Sequence, residues 1–202
     1  MTEKRCVSTF IGVVLMALAM GGCSSDPPPT TVQMQADYPS YDERSLVAEA
    51  TTIVEGTVLA TESTVLTPRY EGDTPEENPL FGLSEEEKEQ ALEQDDGVPA
   101  TAVTMRVDVS HRGSPQPDQE IIIFQTGGVV GNVEYTVAAE PILTVGESYL
   151  LFATDSFDDA FVILGGSAGT YLATGDGDFS ALNPSLAPFQ QLDRDDVAAL
   201  VQ

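Results

Sequence analysis

The alternation of apolar and polar residues predicts a chain built mainly from β-strands. Residues 101–110 alternate most clearly, because Val103, Met105, Val107 and Val109 are each separated by a polar residue. A period of two places apolar side chains on one face of a half-buried antiparallel strand. Six further segments, rich in Val, Ile, Thr and aromatic residues, are also predicted strands: 53–66, 120–125, 133–138, 149–154, 161–164 and 170–174.

Two short helices are predicted beside these strands. Asp42 is a candidate N-cap for a helix that begins at Glu43 and carries apolar residues at helical spacing. Asp193 is a candidate N-cap for a last helix over 195–201, which has one apolar side. Gly56 interrupts the first strand and predicts a β-bulge or a bend. The pattern therefore indicates a mainly β domain with short flanking helices.

A long acidic insertion separates the first two strands. Residues 68–97 contain eleven acidic residues against Arg69 and Lys88. Ser84 followed by Glu87 is a capping-box pattern, which predicts a helix over 84–94 with few apolar contacts. So long an excursion between adjacent strands is uncommon. It is either a solvated surface loop or an element that binds a protein partner or a cation.

The N-terminus has the pattern of an export signal. Two basic residues precede an eleven-residue apolar run over 10–20, and Gly21-Gly22-Cys23 follows. A helix that spans a bilayer needs about 20 residues, so the run fits a cleaved signal over 1–22. The arrangement resembles the bacterial lipoprotein signal, which implies that Cys23 is joined to diacylglycerol and becomes the new N-terminus. A two-chain anchor of this kind suffices for stable membrane attachment.

The signal also sets the domain boundaries. Residues 23–41 begin with Cys23 and include three consecutive prolines, so they are predicted to form a flexible, disordered tether. Residues 42–202 then form one domain with the insertion 68–97 inside it. The expected location is the extracytoplasmic face of the cell membrane, with the lipid as the membrane contact.

The charge excludes one class of partner. The chain has 33 acidic and 8 basic residues and a formal net charge of −25. Because no basic stripe is available to neutralise phosphates, a nucleic-acid partner is not expected. Protein or cationic partners at the acidic insertion remain open, as does the oligomeric state.

Catalytic chemistry is hard to find in this sequence. His111 is the one histidine and ends the alternating strand before a turn, a position typical of a surface residue. Cys6 lies in the signal and Cys23 is the predicted lipid site, so zinc sites and histidine-dependent triads are disfavoured. Residues 165–169, Gly-Gly-Ser-Ala-Gly, lack the spacing of a nucleophile turn and predict a tight β-turn. No catalytic residue and no cofactor is predicted.

Calcium is the one metal for which the sequence offers candidate ligands. Asp176, Asp178 and Ser180 place oxygens at alternate positions, as the start of a calcium loop does. The later positions of such a loop are not matched, because Ala181 stands where Gly is needed and Ala187 where Glu is needed. An Asp-rich turn that caps its own backbone is the competing interpretation.

The order of several short motifs resembles a group of uncharacterised bacterial exported proteins, which are similar to the OB-like barrel of netrin-like and TIMP-type domains. The motifs are Ile53–Val58, Val103–Val109, Arg112-Gly113, Gly127-Gly128, Pro141–Phe152 and Gly165–Gly169. The resemblance implies a small antiparallel barrel, a tight turn over 146–149, and structural roles for Gly127 and Gly128. It implies no activity, since TIMP-type inhibitors use a free N-terminal cysteine amine and disulfides that this chain lacks.

Two functions therefore remain for the structure to address. The first is a membrane-anchored, non-enzymatic binding or interaction module. The alternative is a secreted hydrolase or accessory enzyme that uses carboxylates. A cleft with two facing carboxylates favours the enzyme, whereas a filled barrel interior favours the module.

Overall fold

The fold was obtained as a computed structural model, which describes residues 30–67, 70, 72–76, 78–93, 97–175 and 177–201. The predicted signal over 1–22, the lipidation candidate Cys23 and the calcium candidate Asp176 lie outside the described residues. Among the helices of the described part, none combines the length and the apolar character needed to cross a bilayer.

The chain is mainly β, and the predicted fold class with short flanking helices is confirmed. All seven predicted strands are present, together with the three predicted helices, and the two flanking helices begin after the predicted caps. The elements are β1 Thr30–Met34, α1 Glu43–Glu49, β2 Thr52–Leu66, α2 Glu85–Glu93, β3 Val98–Arg112, β4 Glu120–Thr126, β5 Gly128–Val130, β6 Val133–Val137, β7 Ser148–Asp155, β8 Phe161–Ile163, a 3-10 helix Gly166–Gly169, β9 Thr170–Gly175, β10 Asp178–Ala181, β11 Gln191–Asp193 and α3 Arg194–Leu200.

Strand β1 was not predicted, because it lies within the segment assigned to the tether. It pairs in parallel with β6, from Thr30 opposite Val133 to Met34 opposite Val137. The Thr-Thr-Val sequence at its start suits a strand, and the pairing satisfies backbone groups that a tether would leave to water. This part of the predicted tether is therefore a strand of the domain.

The largest sheet has eight strands in the order β11-β10-β9-β7-β2-β3-β4-β8. β8 also pairs with β7, so the pairings run through β2, β3, β4, β8 and β7 and return to β2. The β4–β8 contact is only two residue pairs long, Ile123 with Phe161 and Phe124 with Val162. The sheet is thus strongly curled, and the short β4–β8 pairing completes the circuit. All pairings in this circuit are antiparallel except that between β4 and β8, which is parallel, so the prediction of a wholly antiparallel sheet is corrected there.

Two apolar clusters lie on opposite faces of β2 and β7. Along β7, Tyr149 and Leu151 point into the inner cluster, which fills the curled sheet, whereas Leu150 and Phe152 join the outer cluster. Residues from α1, α3 and β9–β11 complete the outer cluster. The middle of the sheet is consequently buried on both faces, and the interior of the curl is packed with side chains.

Glycines fix the backbone where strands approach most closely. The register between β2 and β3 shifts at Glu55 and Gly56, which confirms the predicted bulge. A Cβ at Gly56 would lie 2.5 Å from the Arg106 carbonyl oxygen, so only glycine fits there. Gly128 is equally restricted, because its Cβ would lie 2.7 Å from the Ala100 carbonyl oxygen. The second glycine after β4 therefore has the structural role that the resemblance implied.

Candidate functional site

A cleft lies where the small sheet meets the curled sheet. The small sheet has the strand order β1-β6-β5, and the cleft between the two sheets has a volume of about 570 Å³. This volume lies within the usual range for sites that bind small ligands. The residues that line the cleft are Thr61, Ser63, Thr101, Thr126, Gly128, Val129, Glu134, Tyr135, Thr136, Val137, Ala139, Glu140, Pro141 and Ile142.

Hydrogen bonds around Gly127 hold the two sheets at this spacing. The Gly127 amide donates to the Pro99 carbonyl oxygen at 2.8 Å, and the Thr101 hydroxyl donates to the Gly127 carbonyl oxygen at 2.7 Å. The Val129 amide donates to the Ser63 hydroxyl at 3.0 Å. These bonds attach the start of β5 to both β2 and β3, beside the cleft.

The polar lining consists of hydroxyl groups and carboxylates. Four threonines, one serine and one tyrosine line the cleft with Glu134 and Glu140, and none of the fourteen lining residues is basic. Hydroxyl groups both donate and accept hydrogen bonds, while carboxylates accept them and attract cations. An anionic ligand would have no cationic side chain in this lining to balance its charge. The cleft therefore suits neutral hydroxyl-bearing or cationic ligands.

Glu140 is fixed by the 3-10 helix behind it. The Ser167 amide donates to Glu140 Oε1 at 2.5 Å, and the Ser167 hydroxyl lies 3.3 Å from the same oxygen. A Cβ at Gly166 would lie 1.6 Å from this oxygen, so the carboxylate fits only against a glycine. The prediction of a simple tight β-turn over 165–169 is wrong, because positive φ angles at Gly165 and Gly166 lead into one turn of 3-10 helix.

Tyr38 connects the chain before α1 to the same carboxylate. Burial raises the pKa of Tyr38, the hydrogen bond with Thr126 lowers it, and the charge of Glu140 and the hydrogen bond with it raise it further. The net shift is upward, so the Tyr38 hydroxyl keeps its proton. Glu140 is thus held by Ser167 at the wall of the cleft, and its charge acts on the nearby Tyr38.

A second group of polar residues lies apart from the cleft, under α3. Glu55 is only 4% exposed and contacts two basic side chains. His111 Nε2 lies 2.8 Å from Glu55 Oε1, and Arg194 Nη2 donates to Glu55 Oε2 at 2.6 Å. Arg194 Nε also lies 3.1 Å and 3.0 Å from the two carboxylate oxygens. We call these three residues the Glu55 cluster.

The electrostatics of the Glu55 cluster favour the charged carboxylate. Burial alone raises the pKa of Glu55, but hydrogen bonds with His111 and Arg194 and the charges of both outweigh that effect, so the pKa lies below its ordinary value. Arg194 is the first residue of α3, and Glu55 and His111 lie on β2 and β3. The cluster therefore joins α3 to the curled sheet. None of its members lines the cleft.

The prediction that His111 is a surface residue is wrong. Its side chain is 10% exposed and lies against a buried carboxylate. The bulge at Gly56 and the start of α3 bring the partners together, and neither contact is local in sequence. One signal was available, because Glu55 stands among apolar residues in a strand, and buried carboxylates are seldom without a basic partner.

The remaining calcium candidates do not form a loop. Asp178 and Ser180 lie in strand β10, where Asp178 stands directly opposite Asp193 of β11. Asp193 is in turn the N-cap of α3 and accepts a hydrogen bond from the Asp196 amide. Strand pairing on both sides therefore corrects the loop prediction for these two residues. Across the described ranges, no three or more His, Cys, Asp or Glu side chains are grouped so as to hold a metal ion.

Comparisons with known proteins place the chain in no family. No protein-family model matches it, and no curated protein matches it significantly. The function of the cleft is consequently inferred from its lining, its charge and its position between the two sheets.

Proposed function

We propose that this protein is an exported, lipid-anchored binding module without enzymatic activity, and that the cleft is its ligand site. The observation that carries the proposal is the cleft of about 570 Å³, whose apolar lining carries a few hydroxyl groups and the carboxylates of Glu134 and Glu140. The packed interior of the curled sheet also supports it, since apolar side chains fill the space that a barrel ligand would need. Ligand sites of this type combine a pre-formed concave shape with a few convergent polar groups.

The proposed anchor is Cys23, and it would hold the cleft close to the membrane. β1 begins at Thr30, only seven residues beyond Cys23. Seven residues of fully extended chain span at most about 25 Å. Because β1 belongs to the small sheet, the cleft would face ligands near the bilayer surface. Mass spectrometry of the membrane fraction tests the anchor, since an unmodified start upstream of Cys23 would contradict it.

The ligand class follows from the charge of the lining. We expect neutral polyols such as oligosaccharides, or amines, to bind in preference to anions. A calorimetric titration of the full chain in detergent should therefore give heats with a neutral trisaccharide or with spermidine. It should give none with a glucuronate oligomer, whose carboxylates would meet Glu134 and Glu140. Binding of the glucuronate oligomer equal to that of the neutral sugar would contradict the proposal.

A matched pair of variants locates the binding. Thr61 lines the cleft, whereas the adjacent Glu62 points to the other face of β2 because side chains alternate along a strand. Both residues are exposed, so tryptophan is tolerable at either position. Thr61→Trp should fill the cleft and abolish the heat of binding, and Glu62→Trp should leave it unchanged. Equal loss in both variants would place the ligand elsewhere.

One observation favours a hydrolase as the second candidate. Glu134 and Glu140 line the same cleft, and glycoside hydrolysis needs two carboxyl groups. Against this role, Glu140 already accepts hydrogen bonds from Ser167, which holds it as part of the wall. The discriminating experiment incubates the full chain with a panel of nitrophenyl glycosides. Turnover that is lost in both Glu134→Gln and Glu140→Gln, in folded protein, would replace the binding module with the enzyme.

A further inference from the structure

The acidic insertion is the loop of an unusually long β-hairpin. β2 and β3 remain paired as far as Leu66 opposite Val98, so the loop begins at Thr67 and ends at Gly97. Within the loop, α2 begins with the predicted capping box. The Ser84 amide donates to Glu87 Oε2 at 2.9 Å, and the Glu87 amide donates to the Ser84 hydroxyl oxygen at 3.3 Å. The insertion therefore contains an ordered helix at the end of the hairpin.

An apolar groove lies between this loop and the curled sheet. The groove has a volume of about 650 Å³ and is separate from the cleft, with which it shares no lining residue. Its apolar residues come from three places, the end of β2, the loop, and the curled sheet with the turn after β7. They are Val65 and Leu66, Leu80 and Leu92, and Phe124 and Phe157.

The apolar side chains of the groove are only partly covered. Leu92 of α2 is 36% exposed, and Phe81 beside the groove residue Leu80 is 47% exposed. At the floor, the rings of Phe124 and Phe157 stack with centroids 5.4 Å apart. Contiguous exposed apolar surface with a polar border is typical of protein interaction sites.

Carboxylates belong to the elements that form the groove. Asp158 lines it. The helix α2, which supplies Leu92 to the groove, carries three exposed glutamates in its first turn, Glu85, Glu86 and Glu87. The Glu85 side chain remains 92% exposed although Lys88 lies 2.7 Å from it. An apolar floor formed by elements that carry carboxylates complements an apolar stripe that is flanked by basic side chains.

We propose that this groove binds a basic amphipathic helix of a partner protein. The apolar stripe of such a helix would cover Leu92 and the stacked phenylalanines, and its Lys and Arg side chains would meet the carboxylates of α2. A second copy of this chain is a poor occupant, because like charges would oppose one another at a net charge of −25. Lys88, Arg106, Arg112 and Arg194 are moreover engaged within the chain.

A designed peptide tests the groove directly. The probe is a labelled amphipathic helix made of leucine and lysine, with two controls, a scrambled peptide of the same composition and a leucine and glutamate peptide. Fluorescence anisotropy with the full chain should show binding of the amphipathic basic helix at least about tenfold tighter than of the scrambled peptide. The acidic peptide should not bind. Equal binding of the scrambled peptide would reduce the interaction to charge attraction and overturn the proposal.

Two matched variants separate the groove from the rest of the surface. Leu92→Ser should weaken peptide binding at least about tenfold. Leu186→Ser should not, because Leu186 is 51% exposed in a turn outside the groove. Circular dichroism and the melting temperature should match wild type for both. Glu86 and Glu89 are both exposed on α2. Replacing both by lysine, Glu86→Lys with Glu89→Lys, should weaken binding of the basic helix. Added salt should also weaken wild-type binding, since both changes reduce the charge attraction.

The test is independent of the ligand in the cleft. Thr61→Trp fills the cleft but leaves the groove intact, so this variant should bind the peptide as wild type does. Loss of peptide binding in Thr61→Trp would show that the peptide occupies the cleft, and the groove proposal would fail. Retained binding in Leu92→Ser would contradict it equally.

Discussion

The two ends of strand β2 differ strongly in burial. From Thr52 to Val58 almost every residue of β2 is buried, whereas from Leu59 to Leu66 most residues are exposed. β2 therefore belongs to the centre of the fold at one end and is exposed at the other, although β3 beside it stays buried at Ala100, Thr101 and Val103, where it also pairs with β4. Residue types alone do not account for the difference along β2, because both of its halves are rich in Val and Thr.

The difference comes from what lies beside the hairpin. β7 pairs with β2 only from Thr52 to Thr57, and the two apolar clusters flank that covered half. A glutamate in the covered half, Glu55, is buried and requires His111 and Arg194 as partners. The glutamates of α2 at the other end remain in water. Burial by neighbouring strands, and not residue composition, therefore decides which carboxylates stabilise the fold, as Glu55 does, and which remain exposed to partners, as those of α2 do.

The largest effect is expected from a charge at the covered end. Val107 of β3 is fully buried in the inner cluster, so Val107→Asp should unfold the domain. A buried carboxylate without a partner costs several kcal/mol, against a total stability of about 5 to 15 kcal/mol. Circular dichroism and urea unfolding measure the loss.

The matched control lies at the other end of the same strand. Val98 is 41% exposed, and Val98→Asp should change the free energy of unfolding by less than about 1 kcal/mol. Two variants of similar stability would mean that Val98 is packed as tightly as Val107, and the contrast between the two positions would be lost.

A second prediction concerns the two kinds of glutamate on β2. Glu55→Ala should lower the free energy of unfolding by about 2 to 3 kcal/mol, because it leaves His111 buried without its acceptor. The loss should stay below that of a fully buried ion pair, since Arg194 is 58% exposed and can turn to water. Glu62→Ala in the exposed half should change it by less than about 0.5 kcal/mol. Urea denaturation of both variants checks the pair.

Acid should remove the stabilisation that Glu55 gives at the covered end. The pKa of Glu55 lies below its ordinary value of 4.5, because hydrogen bonds with His111 and Arg194 outweigh the effect of burial. As the pH falls, the unfolded chain takes up the proton first, so this stabilisation is complete above the ordinary value and is lost as the pH falls through the folded-state value. Unfolding free energies measured from neutral pH downwards should converge for wild type and Glu55→Gln. A constant gap would contradict the assignment.

Sequence patterns were sufficient where the physics is local. The seven predicted strands, the caps at Asp42 and Asp193 and the bulge at Gly56 depend on neighbouring residues, and the structure contains all of them. Four short strands were missed, namely β1, β5, β10 and β11. The pairing of β1 depends on a distant partner, since Thr30 stands opposite Val133. β5, β10 and β11 pair with strands close in sequence, but they are only three or four residues long and are too short to show a clear alternation.

Most of the candidate sites could not be predicted from sequence patterns. The cleft needs β5 and β6 to stand beside β2, and the contact between Glu55 and Arg194 joins residues 139 positions apart. The acidic insertion could be predicted from the composition of residues 68–97. The apolar groove beside it could not, because Leu92 and Phe157 are distant in sequence and line the same groove only in the folded chain.

Only a small change in stability is expected when the whole insertion is deleted. Leu66 and Val98 stand directly opposite each other, so replacing residues 67–97 with Asn-Gly should close the hairpin with a two-residue turn. The deletion removes the modest packing of α2, but it also lowers the entropy cost of loop closure by about 0.6 kcal/mol for each halving of loop length. We expect the free energy of unfolding to change by less than about 1 kcal/mol, while binding of the leucine and lysine helix is abolished. Destabilisation by about 3 kcal/mol or more would instead make the insertion part of the structural core, because only packing of Leu80 and Leu92 against the curled sheet could supply that much.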